Sequence, residues 1–312
     1  MLTPQPGRPA VFRKPRLLIV GCGDVGERVL AQLASRYRVF ALTSHPERGP
    51  RLRSLGARAL VGDLDVPATL GRLGALAPRV LHLAPPPGQG TTDPRTLALL
   101  RALARGGVAE RIVYASTSGV YGDAQGARLD ETRSVAPASD RARRRVAAER
   151  LLRWYGRAFA AVVTLLRIPG IYASDRAQGS PRERVVRGTP VLAAGDDVYT
   201  NHIHADDLAR ICIAALHRGR PQRVVHASDD TELKMGDYFD LVADLYGLAR
   251  PPRVARSGAA EQFSAATSSF MSESRRLVNR RLKTELRVKL RYPSVREGLL
   301  SASGGVGFPA VD

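Results

Sequence analysis

Lysine is almost missing from this chain. Of its 48 basic residues only Lys14, Lys234, Lys283 and Lys289 are lysine; the rest are arginine, spread along the whole length. Against 29 acidic residues this leaves a formal net charge of +19. Such an excess attracts anionic partners, yet aromatic residues make up only 5%, too few for a base-stacking platform. No finger, helix-turn-helix or RNA-binding signature accompanies the charge, so specific nucleic-acid binding is not expected. Alanine is abundant beside the arginine, as a GC-rich codon bias would produce. Cysteine is scarce as well. Cys22 and Cys212 stand far apart, with no disulfide or metal spacing, and read as reduced thiols of a cytoplasmic protein. No run approaches the roughly 18 uncharged apolar residues of a membrane span. The opening "MLTPQPGRPAVFRKPR" has no apolar segment after its basic residues, so neither a membrane partner nor a secretory leader is expected.

What is present is a rhythm. The chain has 312 residues, 44% of them hydrophobic, enough for a substantial core. Short apolar runs, "RLLIV" (16–20), "RVFALT" (38–43), "ARALVGDLD" (57–65), "RVLHLAPPP" (79–87), "RIVYAST" (111–117) and "AVVTLLRIP" (161–169), alternate with helical stretches. Those helices fall near 24–36, through "TLALLRALARGG" and near 138–156, and "RVVHAS" (223–228) resembles one more strand. Alternation of this kind predicts an α/β fold, a doubly wound parallel sheet covered on both faces. Residues 14–170 and 200–228 are expected to form the sheet domain. Residues 171–199 and 229–300 are expected to form a smaller substrate-binding region, with 1–13 and 301–312 as flexible tails.

"LLIVGCGDVGERVLAQL" places Gly21, Gly23 and Gly26 directly after a strand and at the opening of a helix. The first glycine allows the turn, the second lets a pyrophosphate approach the backbone, and the third lets helix and strand pack closely. The helix start then offers free N–H groups and the positive dipole end to phosphates. With a strand before it and a helix after it, the motif predicts dinucleotide binding by Gly21, Gly23, Asp24, Val25 and Gly26. An NAD site wants an acid at the end of the second strand, where this chain has Thr43 and Ser44. Those neutral hydroxyls, with Arg48 and Arg51 shortly after, suit a 2′-phosphate, so NADP is favoured over NAD. Asp63 either bonds the adenine amine or caps the following segment. Leu64 beside it, and Leu83, Ala84 and Pro85 after the fourth strand, complete the candidate cofactor set.

Together "GCGDVG", "GDL", "YASTSGVYGD", "LLRIPGIY", "NHIHADDLA" and "ESRRLVNRRLKTEL…YPSVREGL" resemble the extended short-chain dehydrogenase/reductase superfamily, the nucleotide-sugar epimerases and dehydratases. The short glycine motif, "LAPPP" and the C-terminal run look most similar to its atypical YeeZ-like subgroup, which lacks the usual active-site tyrosine and lysine. The resemblance implies a Rossmann-type fold and a Ser or Thr that bonds the reacting oxygen, here Thr117. It also implies a Y-x-x-x-K helix, but no tyrosine of this chain has a lysine four residues on. Aligned on Glu149, the tyrosine and lysine positions hold Arg141 and Arg145. Arginine does not release its proton near neutral pH, so Arg141 is no general acid/base. The two arginines either bind a substrate carboxylate or phosphate, or are solvated like their neighbours Arg143 and Arg144.

His202 and His204 share a strand face, but no further cluster completes a metal site, and none is expected. His204 is a candidate proton shuttle, with a structural role as the alternative; Asp206 or Asp207 is expected to cap the next helix. By the resemblance, Tyr121, Tyr172 and His202 flank the substrate cleft, and a homodimer forms through the helix around 141–156. Two functions remain open on this reading. One is an NADP-dependent oxidoreductase or epimerase-like enzyme acting on a small molecule through Thr117, Arg141, Arg145 and His204. The other is a non-catalytic NADP-binding sensor.

Overall fold

The computed structural model describes residues 14–176, 179–258, 263, 268 and 271–301. Seven parallel strands form its central sheet: β1 (Arg16–Val20), β2 (Arg38–Thr43), β3 (Arg58–Val61), β4 (Arg79–His82), β5 (Arg111–Thr117), β6 (Val162–Ile168) and β7 (Arg223–His226). Their spatial order is β7-β6-β5-β4-β1-β2-β3. The order reverses between β1 and β4, and a crevice opens outside the carboxyl ends of strands at such a switch point.

The burial of β1 explains why its sequence reads as an unbroken apolar run. Leu17 and Ile19 belong to one apolar cluster, whereas Leu18 and Val20 belong to another on the opposite face. Helices α1 (Asp24–Leu33), α2 (Gly49–Ser54) and α6 (Ala205–Arg218) supply residues to the first cluster. Helices α3 (Pro94–Gly106) and α4 (Asp140–Ala158) supply the second. Ser139 caps α4 by accepting from the Ala142 amide at 3.3 Å.

A third apolar cluster lies in the chain beyond Ile171. It unites Tyr172 and Val185 with Val191, Met235, Tyr238, Phe239, Val242 and Leu299, using helices α5 (Pro181–Val186) and α7 (Met235–Leu245). Four two-stranded ladders stitch this part together, of which the sequence announced only the strand that carries His202 and His204: Arg128–Leu129 with Arg276–Leu277, Gly170–Tyr172 with His202–His204, Val191–Leu192 with Arg253–Val254, and Tyr199–Thr200 with Leu233–Lys234. Each is only two or three residues long, too short for a period-two pattern to register. Of the tails expected at 1–13 and 301–312, only Ser301 lies among the described residues. No helix among them is long and apolar enough to cross a membrane.

Candidate functional site

The crevice at the switch point is a cavity of about 520 Å³. Its floor is the turn after β1. Gly21 has φ +83°, and a β-carbon there would lie 2.4 Å from the Ala84 amide nitrogen, so only glycine fits where the ends of β1 and β4 meet. A β-carbon on Gly23, by contrast, would meet nothing within 4 Å. Gly23 is the N-cap of α1 and contributes no side-chain cap, which leaves the first-turn amides available to a ligand. Gly21, Gly23, Asp24, Val25, Gly26, Leu83 and Pro85 all line this crevice, and Ala84 packs behind it. Pro86, Pro87, Gly88, Arg144, Arg176 and Leu208 line it too. A cradle that one added side chain would fill suits a diphosphate.

Asp24 would repel such a diphosphate if it stood alone. Instead Arg28 Nε donates to its Oδ1 at 3.0 Å and Arg176 Nε to its Oδ2 at 2.9 Å. Arg28 also bridges to Asp175 at 2.7 Å and Asp206 at 2.5 Å, tying α1 to the loop after Tyr172 and to the start of α6.

A second cavity, of about 710 Å³, adjoins the first. Thr117, Arg141, Pro169, Ile171 and Arg176 line both. Thr117 Oγ1 accepts from the Gly119 amide at 3.2 Å, leaving its own proton free to donate. Glu273 reaches the same place from the far end of the chain. A β-carbon on Gly119 would lie 3.6 Å from Thr117 Oγ1 and 3.9 Å from Glu273 Oε2. Glu273 is buried and accepts from Arg275 Nη1 at 2.7 Å. His202 forms another wall, stacked on Tyr238 at 4.0 Å between ring centroids, and its Nε2 lies 3.0 Å from Thr200 Oγ1. Burial drives its pKa down to about 3, so it stands neutral.

The arginines of α4 take different roles. Arg141 lines both cavities. Arg145 donates to the Ala115 carbonyl at 2.6 Å and the Tyr114 hydroxyl at 3.0 Å, which fixes it on β5 beside the crevice. Arg144, read from sequence as solvated, is buried and donates to the Gly90 carbonyl at 2.6 Å, pinning the loop after β4.

Several expected site residues engage other partners or stand outside the lining of the two cavities. His204 lines neither cavity. It is the N-cap of α6: its Nδ1 accepts from the Asp206 amide at 3.2 Å, and its ring packs 4.1 Å from that of Tyr292. Neither Asp206 nor Asp207 caps that helix. Asp206 pairs with Arg28, and buried Asp207 accepts from the Arg291 and Tyr292 amides at 2.9 and 2.8 Å. Tyr121 is buried outside both cavities and donates to His226 Nε2 at 2.5 Å, because His226 Nδ1–H is spent on the Val278 carbonyl at 3.0 Å. Tyr172 lines the larger cavity, but its hydroxyl is turned to the Ser294 carbonyl at 3.4 Å. Thr43, Ser44 and Arg48 stand beyond the lining of the crevice. Thr43 Oγ1 accepts from the His45 amide at 3.1 Å, the Ser44 hydroxyl lies 3.1 Å from His45 Nδ1, and Arg48 pairs with Glu27 at 2.7 Å. Asp63 accepts from the Asp65 amide at 2.9 Å in a local turn, while Leu64 is buried in the core. Among the described residues no group of three or more His, Cys, Asp or Glu is placed to hold a metal ion.

A profile of the NAD dependent epimerase/dehydratase family matches residues 17–227. The chain belongs to that family. Solved structures of similar fold include a functionally unknown conserved protein from Silicibacter pomeroyi DSS, 28% identical with a TM-score of 0.77 over 93% of this chain and 98% of that one. The UDP-glucose 4-epimerase of Thermotoga maritima, solved with UDP-glucose, is 20% identical with a TM-score of 0.74 over 91% and 96%. DesIV of Streptomyces venezuelae, a dTDP-glucose 4,6-dehydratase solved with NAD, is 20% identical with a TM-score of 0.73 over 93% and 97%. No curated protein sequence matches the chain. Within this epimerase/dehydratase fold Tyr121 serves as a strut, and Tyr121→Phe tests that. It leaves the buried His226 Nε2 without a donor, so a stability loss of about 1–3 kcal/mol is expected in denaturant melts, with ligand affinities unchanged.

Proposed function

We propose that this chain binds a nicotinamide dinucleotide in the switch-point crevice and catalyses an oxidoreductase or epimerase-like reaction on a small molecule in the adjoining cavity. The observation that carries the reading is the shared wall, in which Thr117 and Arg141 border both compartments. NAD in the solved dehydratase and UDP-glucose in the solved epimerase support it. Gly21 to Gly26 would hold the diphosphate and Arg145 the nearby ribose, and the nicotinamide supplies hydride exchange when bound.

The chain's own task is then the proton. Thr117 donates to the reacting oxygen, and the Glu273 carboxylate, brought to within reach of the same spot, takes or returns its proton. Arg141 cannot do this, but it holds positive charge beside an oxygen that gains negative charge. NADP is preferred over NAD because the end of β2 carries no acid and Arg48 stands there, held by Glu27 at 2.7 Å. Arg48→Ala is therefore expected to weaken NADP binding about tenfold, or about 1.4 kcal/mol, and to leave NAD binding unchanged by calorimetry.

The replacement of both dyad residues by Arg141 and Arg145 favours a second reading, a nucleotide-binding sensor. Calorimetry with NADP, NADPH, NAD and NADH, followed by a turnover screen of nucleotide sugars, aldehydes and ketones at the nicotinamide absorbance, separates the two. Turnover that disappears in Glu273→Gln while dinucleotide affinity persists establishes the enzyme. Tight binding with no turnover across the screen establishes the sensor, and no binding of any of the four removes both.

A further inference from the structure

Parallel strands joined by helices bring the starts of the strands and the ends of the helices to one edge of the sheet, opposite the crevice. Six of the seven strands begin at that edge with arginine: Arg16, Arg38, Arg58, Arg79, Arg111 and Arg223. Their register keeps them in a row. Arg16 pairs with Arg38 and Arg79 with Arg111, while Arg58 lies opposite Phe40 and Arg223 opposite Thr164, each two residues into the neighbouring strand. At about 4.8 Å per strand the row from β7 to β3 spans roughly 30 Å, the length of about nine base pairs of a duplex.

The connections that meet this edge hold almost no acid. Residues 14–16, 34–38, 53–58, 71–79, 104–111, 157–161 and 217–223 each contain arginine, and Glu110 is the one acidic residue in them. Helix ends attract cations through their free carbonyls and negative dipole, and part of the row is held locally. Arg16 Nη1 donates to the Ala75 carbonyl at 3.0 Å, Arg111 Nη1 to that of Gly219 at 2.6 Å, and Arg223 Nε to Glu285 at 2.8 Å. Other members are not. Arg36, Arg38, Arg58 and Arg105 are exposed, and among the described residues no ion pair reaches them. The crowding is felt at His217 near the end of α6, whose pKa is lowered by partial desolvation and then by Arg79, Arg218, Arg111 and Arg36.

We propose that this edge docks double-stranded nucleic acid by its phosphates, without reading the bases. A single row of charge fits a linear polyanion, whereas a bilayer presents a plane. The exposed large apolar side chains in these connections are Val108 and Phe159, too small a surface to enter a bilayer. They offer no series of stacking rings either, which favours a duplex, with its bases turned inward, over a single strand. Phosphate contacts alone suffice for binding that is strong at low salt and indifferent to sequence. The crevice opens at the opposite edge, so this docking is independent of any dinucleotide.

The test follows the fluorescence anisotropy of labelled duplexes of about 20 base pairs, in two unrelated sequences and over a range of salt. The full chain is compared with an edge set, Arg36→Glu with Arg38→Glu and Arg58→Glu. A control set, Arg133→Glu with Arg280→Glu and Arg296→Glu, reverses as many exposed arginines outside these connections. The wild type is expected to bind both duplexes alike, and more weakly as salt rises. The edge set loses about tenfold or more of that affinity at low salt, and its slope of log affinity against log salt shrinks by about three. The control set loses about threefold at most. Dichroism and melting temperature verify folding, and an edge set made with glutamine, gentler to the fold, should lie between wild type and the reversal. No duplex binding by the wild type, equal loss in the edge and control sets, or tighter binding of a single strand of the same length would each overturn the proposal. So would capture by phosphatidylserine vesicles without any duplex binding.

Discussion

Gly23→Val is expected to abolish dinucleotide binding while the protein stays folded. The backbone at Gly23 has φ −83° and ψ −156°, an extended conformation open to any residue. Nothing stands within 4 Å of the β-carbon position, so the valine meets no packed neighbour. It does fill the space in which a diphosphate would lie against the first-turn amides of α1. A loss of roughly 100-fold or more in affinity, about 2.7 kcal/mol, is expected in a calorimetric titration with NADP. The far-ultraviolet dichroism and melting temperature should match wild type. Unchanged affinity would remove the glycine turn from the binding site. Gly21→Ala is not an equivalent test, since its β-carbon would strike Ala84 and the fold itself would suffer.

The largest effect on stability is expected at Glu149. Its Oε1 accepts from the Ser116 hydroxyl at 2.6 Å and from Arg167 Nε at 3.1 Å, and its Oε2 accepts from Arg167 Nη2 at 2.7 Å. Both side chains of the ion pair are only 4% exposed, and the Arg167 guanidinium also lies 4.7 Å from the Tyr121 ring centroid. Glu149→Ala leaves an uncompensated charge inside the protein and is expected to cost about 3–5 kcal/mol. The denaturant midpoint should fall accordingly with little change in slope. The double replacement Glu149→Met with Arg167→Met removes the stranded charge and should recover much of that loss. If Glu149→Ala alone were neutral, the pair would carry no structural weight.

How far such features could be read beforehand depends on how local their causes are. The run Leu17–Val20 announced a strand buried on both faces because every residue in it is apolar, and the two apolar clusters bear that out. The glycine turn was legible because its requirements fall within one short stretch: a positive φ at Gly21 and an open approach at Gly23. His204 was not legible in this way. Imidazole serves equally as a proton carrier or as a helix cap, and only the placement of its Nδ1 against the Asp206 amide decides. Arg144 was hidden for a different reason. On a helix in which Arg141, Arg143, Arg144 and Arg145 lie close together, residue type does not reveal which one turns inward. Glu273 belongs to a segment that resembles the family's C-terminal run, yet nothing local ties it to Thr117; the chain must fold before both border the space beside Gly119.

Arg176 gives the two compartments a common stake. It borders both and is held on the crevice side by one carboxylate, that of Asp24 at 2.9 Å. A ligand in either compartment that draws the guanidinium toward itself alters the field felt in the other. Thermodynamic reciprocity then requires whatever help or hindrance the first occupant gives the second to be returned in equal measure.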